Sequence, residues 1–236
     1  MGTLYIIATP IGNLEDISFR AVETLKKVSF VLCEDTRVTK RLLNRYQIVT
    51  PTISYHQHSK LEKTNIILDI LKEGKDLALV SDAGTPGISD PGGKLIQAVI
   101  NSFKNEVKII AIPGPAAVAA AISIAGMPAN KFFFAGFPPS KNKRKKFFEE
   151  ILNYECTVVF YESSHRIIKT LQEIELLAKD REAVVCQEMT KMFETIYRGN
   201  ISTIVSQFLA SGDGGRAVKT KGEFVIILQG KKAQAK

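Results

Sequence analysis

Two hydrophobic rhythms alternate along the first half of this chain. Short aliphatic and β-branched runs ("TLYIIA", "SFVLCE", "TISYH", "DLALVSD" and "KIIAIP") read as strands. Between them lie longer segments with apolar residues near helical spacing. These are "DISFRAVETLKKV", "TKRLLNRYQ", "KLEKTNIILDILKEG" (Leu61, Ile67, Leu68, Leu71) and "GGKLIQAVINSF". Asp16 is placed to cap the first helix and Gly74 to stop the third. Strands and helices in alternation predict βα units around a mostly parallel sheet.

The pattern changes after "IPGP". "AAVAAAISIAG" reads as a small-residue helix ended by Gly126 and Pro128. Beyond it, "FFFAGF", "CTVVFYES", "AVVCQEM", "FETIYRG" and "EFVIILQG" read as strands, and "KRKKFFEEILN", "SHRIIKTLQEIELLA" and "ISTIVSQFLAS" as helices. No helix separates "AVVCQEM" from "FETIYRG", which predicts antiparallel pairing. A boundary near residues 113–117 follows. The fold class is α/β in two domains: residues 1–114 with a mostly parallel sheet, and 115–230 with a mixed sheet and helices. Residues 231–236 form a polar tail.

Composition narrows the picture. Apolar residues make up 45% of 236, enough for a core and too many for a disordered chain. No run is long and apolar enough to span a bilayer, and "MGTLYIIATP" lacks the basic region of a signal peptide. The expectation is a cytoplasmic protein with no membrane partner. Cys33, Cys156 and Cys186 sit in separate strand-like runs, which argues for reduced core thiols rather than a disulfide framework. The three histidines show no ligand spacing, so no metal is expected. The net charge is +8, and "KNKRKK", Lys141 to Lys146, concentrates five positive charges. Such a patch suits RNA, a membrane surface or mere solubility.

The loops after the strands carry the candidate chemistry. "SDAGTPGISDPGG", Ser81 to Gly93, follows "LALV" and contains glycine, proline and two aspartates but no basic residue before Lys94. That composition argues against a bare polyphosphate. "GISDPGGK" misses the P-loop spacing by one residue, with Leu95 where a metal-binding hydroxyl belongs, and no G-x-G-x-x-G follows the first strand. Asp82, at the carboxyl end of a strand, suits ribose hydroxyls, an ammonium or a sulfonium. Gly84 and Gly87 permit close backbone approach, Pro86 and Pro91 stiffen the loop, and Pro91 can open the next helix. "ATPIGN" and "IPGPAA" end two further strands. Three stiff strand ends can line one crevice, with Ala116 and Ala117 leaving room for a flat base.

With these loops, the sequence resembles the tetrapyrrole methylase superfamily of S-adenosylmethionine-dependent methyltransferases. It is most similar to the branch that methylates a cytidine 2′-hydroxyl of 16S ribosomal RNA. The motifs are "ATPIGNLEDIS", "EDTR", "SDAGTPGISDPG", "PGP", "FYESSHR", "QEMTKMFET" and "KGEFVI", in order along nearly the whole chain. The resemblance implies a two-domain fold with the cofactor, S-adenosyl-L-methionine, in a cleft between the halves. It also implies a homodimer acting on 16S rRNA or the small ribosomal subunit. Its cofactor residues fall on Pro10, on Ser81, Asp82, Ala83, Gly84 and Thr85, and on Pro113, Gly114, Pro115, Ala116 and Ala117. Gln187 departs from the arginine often found there.

Methyl transfer to a hydroxyl needs alignment and a proton acceptor. Glu34, Asp35, Glu162, His165 and Glu188 are the groups considered, with Glu34 and Glu162 the candidate catalytic residues. Arg37 and Arg166 either hold RNA phosphates or pair with these acids. Lys141, Lys143, Arg144, Lys145 and Lys146 are candidate RNA contacts. Phe132, Phe133 and Phe134 read as core. Two alternatives stand beside this reading: a tetrapyrrole C-methyltransferase of the same superfamily, and a non-catalytic RNA-binding assembly factor.

Overall fold

A computed structural model of the chain describes residues 1–56, 61–90, 92–210 and 221–231. It divides into two compact units, Met1–Ala116 and Ala117–Lys236. Pro91 as a helix opener and residues 232–236 of the tail lie outside the described residues.

The first unit is built on a five-stranded sheet: β1 (Thr3–Ile7), β2 (Phe30–Cys33), β3 (Thr52–Ser54), β4 (Leu77–Leu79) and β5 (Lys108–Ile112). The strands run in the order β3-β2-β4-β1-β5, and every described pairing is parallel. Helices α1 (Phe19–Lys27), α2 (Thr36–Arg45), α3 (Leu61–Lys72) and α4 (Gly92–Phe103) connect them. Alternate residues of the central strands feed two cores. Leu4, Leu32, Leu77 and Leu79 pack with Ile67 and Leu71 of α3 and with Leu95 and Val99 of α4. Ile7, Val31, Cys33 and Ala78 pack with Ala21 and Leu25 of α1 and with Leu43 of α2. So α1 and α2 cover one face and α3 and α4 the other. β4 therefore sends its chain to one face while its neighbours β1 and β2 send theirs to the opposite one. That divergence makes the carboxyl end of β4 a topological switch point, where parallel sheets take ligands.

Two local expectations need correction. Ser18, not Asp16, caps α1: its side chain accepts from the Ala21 N–H, while Asp16 ends a short 3-10 turn over Leu14–Asp16. Ser18 lies next to the first helical residue, which is the position a cap requires. Gly74 does follow α3, at a left-handed φ of 86°.

The second unit holds α5 (Ala117–Ala125), β6 (Phe132–Phe134), α6 (Arg144–Ile151), β7 (Thr157–Ser163), α7 (Ile167–Ala178), β8 (Glu182–Gln187), β9 (Thr195–Asn200), α8 (Ile201–Ala210) and β10 (Glu223–Leu228). Its sheet runs β6-β7-β10-β8-β9, with β6 and β7 parallel and the other pairs antiparallel. The core joins Val158 and Phe160 of β7 and Phe224 and Ile226 of β10 to Phe148, Leu171, Ile174 and Phe208 of the helices. β6 lies at the sheet edge, so Phe132 and Phe133 are 43% and 38% exposed rather than core. Among the described residues no helix is long and apolar enough to cross a membrane.

Candidate active site

The three strand-end loops of the first unit are tied to one another. Thr9 and Gly84 exchange backbone hydrogen bonds of 2.8 and 3.1 Å, an antiparallel bridge between the loops after β1 and β4. The Thr9 hydroxyl donates to the Ser81 carbonyl at 3.1 Å, and the Ser81 hydroxyl to the Gly84 carbonyl at 3.2 Å. The Thr85 hydroxyl donates to the Pro115 carbonyl at 2.9 Å, joining the loop after β4 to that after β5. Thr9 and Ser81 are buried, so these bonds are shielded from water and fix the loops in register.

Glycine is required at two points. Gly84 has φ +81°, and a Cβ there would face Ile11 at 3.5 Å and the Pro115 carbonyl oxygen at 3.8 Å. A Cβ on Gly114 would press on the Ala8 Cβ at 3.0 Å. Pro10 is buried beside this bridge, Asp82, Ala83, Pro113 and Gly114 are exposed, and Pro115 and Ala116 are half-buried. Ala117 is the first residue of α5, in the second unit. Asp90 accepts from the Gly87 and Gly92 N–H groups at 2.6 and 2.8 Å, which closes the loop onto the start of α4.

Asp82 also reaches the loop after β2. Its carboxylate accepts from the Asp35 N–H at 3.0 Å. Asp35 in turn caps α2 and holds Arg37 through two hydrogen bonds of 3.1 and 2.7 Å. Arg37's side-chain hydrogen bond and then its backbone N–H hold the Asp35 carboxyl down at about 2. Arg37 is therefore the partner of Asp35 while 87% of its side chain stays exposed. Glu34 behaves oppositely. Partial burial, then the charges of Asp82 and Asp90, raise its pKa above the ordinary carboxylate value.

The second unit contradicts two residue assignments. Glu162 is 1% exposed and its oxygens are occupied. One accepts from the Ser163 N–H at 2.8 Å and pairs with Arg166 at 2.7 Å; the other accepts from the Thr170 hydroxyl at 2.6 Å and faces Arg144 at 3.6 Å. A carboxylate so enclosed is closed to a substrate hydroxyl here, and its contacts are those of a structural anchor. Arg144 is 5% exposed. Its guanidinium pairs with Glu173 at 2.6 Å, donates to the Pro139 carbonyl and the Thr170 hydroxyl, and lies 4.9 Å over the Phe148 ring. It is inside the unit, not on the basic surface, because α6 turns that one position inward toward α7. Lys141, Lys143, Lys145 and Lys146 remain exposed. Arg166 is shared between Glu162 and the Pro138 carbonyl, with a quarter of its side chain exposed.

Sequence reasoning missed Tyr161, whose hydroxyl oxygen accepts from the Val118 N–H at 3.1 Å. It thereby satisfies one of the open donors at the start of α5, the helix that carries Ala117. Arg198 holds the other end of α5 through the Ile124 and Ala125 carbonyls at 2.6 and 3.1 Å. Only the tyrosine's place in "FYESSHR" hinted at this. Among the described residues no group of three or more His, Cys, Asp or Glu could hold a metal ion.

Comparison with known proteins agrees with this architecture. The profile of the family described as Tetrapyrrole (Corrin/Porphyrin) Methylases matches residues 3–205. The ribosomal RNA small subunit methyltransferase I of Halalkalibacterium halodurans is 43% identical over 97% of this chain and 76% of its own. The protein of the same name from Thermotoga maritima is 39% identical over 98% of this chain and 100% of its own. Among solved structures, cobalt precorrin-4 methyltransferase, a cobalamin biosynthetic enzyme, matches with a TM-score of 0.66 at 20% identity, covering 96% of this chain and 94% of its own. Uroporphyrin-III-C-methyltransferase from Thermus thermophilus gives 0.64 at 16%, covering 97% and 94%. These structural likenesses speak for the fold; the sequence matches speak for descent. The chain belongs to the tetrapyrrole methylase family.

Proposed function

We propose that this chain transfers the methyl group of S-adenosyl-L-methionine to the 2′-hydroxyl of a cytidine in 16S ribosomal RNA. The observation that carries the reading is near-full-length identity of 39–43% to proteins named ribosomal RNA small subunit methyltransferase I. The cofactor residues are Pro10, Ser81 to Thr85 and Pro113 to Ala117. Their chemistry fits the ligand: a cross-linked backbone cradle, a glycine at a left-handed φ (Gly84) and one whose Cβ would crowd Ala8 (Gly114), and an exposed carboxylate at Asp82. The neighbouring charges of Glu34, Asp82 and Asp90 make the local field negative, which favours a cation.

When bound, the cofactor supplies an electrophilic methyl group on a positively charged sulfur. The protein's own part is orientation and proton handling. The bridged loops are fixed before binding, so little freedom is lost on ordering them, and well-aligned reactants gain up to ~7–11 kcal/mol in favourable cases. Glu34 takes the hydroxyl proton. Its raised pKa makes it a stronger base than an ordinary carboxylate.

Glu34→Gln is accordingly expected to slow single-turnover transfer by roughly 10²–10⁴-fold with cofactor affinity unchanged. The rate of the unaltered enzyme should fall as pH drops through the raised Glu34 pKa, because protonation removes the base, and that acid limb should vanish in Glu34→Gln. An identical limb in the variant assigns the proton acceptor elsewhere.

The reading extends to a cytoplasmic homodimer. Exposed apolar side chains on the edge strands, Ile110 on β5 and Phe132 and Phe133 on β6, favour a partner copy. A solution mass equal to the 26.1 kDa chain alone would remove the dimer. The function itself is tested by mapping 2′-O-methylcytidine in small-subunit RNA by mass spectrometry. The mark should disappear in cells lacking this protein; its persistence there refutes the assignment.

A further inference from the structure

One end of the second unit's sheet gathers side chains that the methyl-transfer chemistry does not use. Register fixes which residues share it: Ser163 lies opposite Glu223, Phe224 opposite Gln187, and Gln187 opposite Thr195. β6 runs parallel to β7 and is continued by the Tyr161 N–H bond to the Gly136 carbonyl, so residues 137–143 leave at this same end. The basic run after β6, the loop after β7, the β8–β9 loop and the approach to β10 thus form one strip. It spans four strand spacings, about 19 Å.

The β8–β9 loop within this strip is built to present two apolar side chains to solvent. Met192 and Phe193 are 89% and 74% exposed. The loop beneath them is fixed. Glu188 and Thr190 adopt left-handed φ of 53° and 64°, and the Lys191 and Glu194 N–H groups bond back to Glu188 and Lys191. The Lys191 ammonium bridges the Glu188 and Glu223 carboxylates at 2.8 and 2.9 Å. Gly222 is needed there, since a Cβ would come within 2.4 Å of the Glu188 side chain. Lys191 offsets one of the two carboxylates it bridges, and Lys221 stands exposed beside them, while Lys141, Lys143 and Lys145 are exposed at the other side of the strip.

We propose that this sheet end is a platform for single-stranded RNA, with Phe193 stacking on an unpaired base and Lys141, Lys143 and Lys145, across the strip, taking phosphates farther along the same strand. It rests on the RNA reading above. An aromatic ring on a rigid loop with spaced cations across the same sheet end matches what a single strand offers, flat bases joined by phosphates. A purely apolar protein partner would leave those lysines unanswered.

The test uses a short cytidine-containing single-stranded oligoribonucleotide, with heparin as a polyanion that has no bases. Phe193→Ala should weaken oligonucleotide binding roughly 5- to 150-fold with the same salt slope. Joint replacement of Lys141, Lys143 and Lys145 by glutamine should lower that slope by about 2. The chain has no tryptophan. Phe193→Trp therefore gives a single reporter, whose emission the oligonucleotide should quench and heparin should not. Unchanged affinity in Phe193→Ala, or no quenching in Phe193→Trp, overturns the platform and leaves the methylation reading standing. Failure of the unaltered chain to bind any RNA removes both.

Discussion

Replacing Asp82 with alanine is expected to weaken S-adenosylmethionine binding roughly 10- to 150-fold, the range for losing a hydrogen bond to a charged group. The exposed carboxylate sits in the loop after β4, at the switch point of the sheet. It is tethered to the Asp35 N–H, so it is aimed before the ligand arrives. Its loss removes negative charge from the position where a sulfonium or a ribose hydroxyl needs it. It also frees the Asp35 N–H to water, at little cost to the fold because that group is near the surface. Titration calorimetry with unchanged circular dichroism is the appropriate pairing of measurements. Asp82→Asn should lose less, since it keeps the shape and an acceptor oxygen. Equal affinities for Asp82→Ala and the unaltered chain would dissociate this loop from the cofactor.

The largest effect on stability is expected at Arg144. Replacing it with alanine leaves the buried Glu162 carboxylate with Arg166 as its one cation, removes the donor to the Thr170 hydroxyl, and leaves Glu173 with Lys169 at 3.9 Å. Breaking a buried ion pair from one side costs about 3–5 kcal/mol. For a unit of this size that corresponds to a fall in melting temperature on the order of 10–15 °C. Lys145→Ala, one residue along the same basic run, should change it little, because an exposed pair such as Lys145–Glu149 contributes at most ~1 kcal/mol. A melting temperature within a degree or two of the unaltered chain, joined to a loss of RNA affinity, would return Arg144 to the RNA surface.

The contrast between Arg144 and its neighbours shows where the sequence was informative. Strands and helices were legible because each buries a face, and burial writes a period of two or 3.6 into the chain. The strand-end loops were legible from their glycines and prolines. Their mutual bonds were not: Thr9 and Gly84 are far apart in the chain, and only the parallel sheet brings their strand ends together. "KNKRKK" looks like uniform surface charge, and its one buried member is revealed only by partners on another helix. Glu162 carried a usable signal. It follows Val158 and Phe160 at intervals of two, so alternation alone places it on the core face of β7. The acid-rich motif "YES" drew attention to chemistry and away from that register. Glu34 escaped this fate because β2 ends at Cys33, leaving the carboxylate beyond the buried strand and half-exposed.

The most direct measurement is transfer of a labelled methyl group from S-adenosylmethionine by the purified chain, offered small ribosomal subunits or a porphyrinoid in parallel. Nuclease digestion of the RNA should yield the label in 2′-O-methylcytidine, with none on the porphyrinoid and, at cofactor concentrations below the unaltered chain's Kd, far less from Asp82→Ala. Label on porphyrinoid carbon, or no transfer to RNA by a chain that binds the cofactor, would contradict the account.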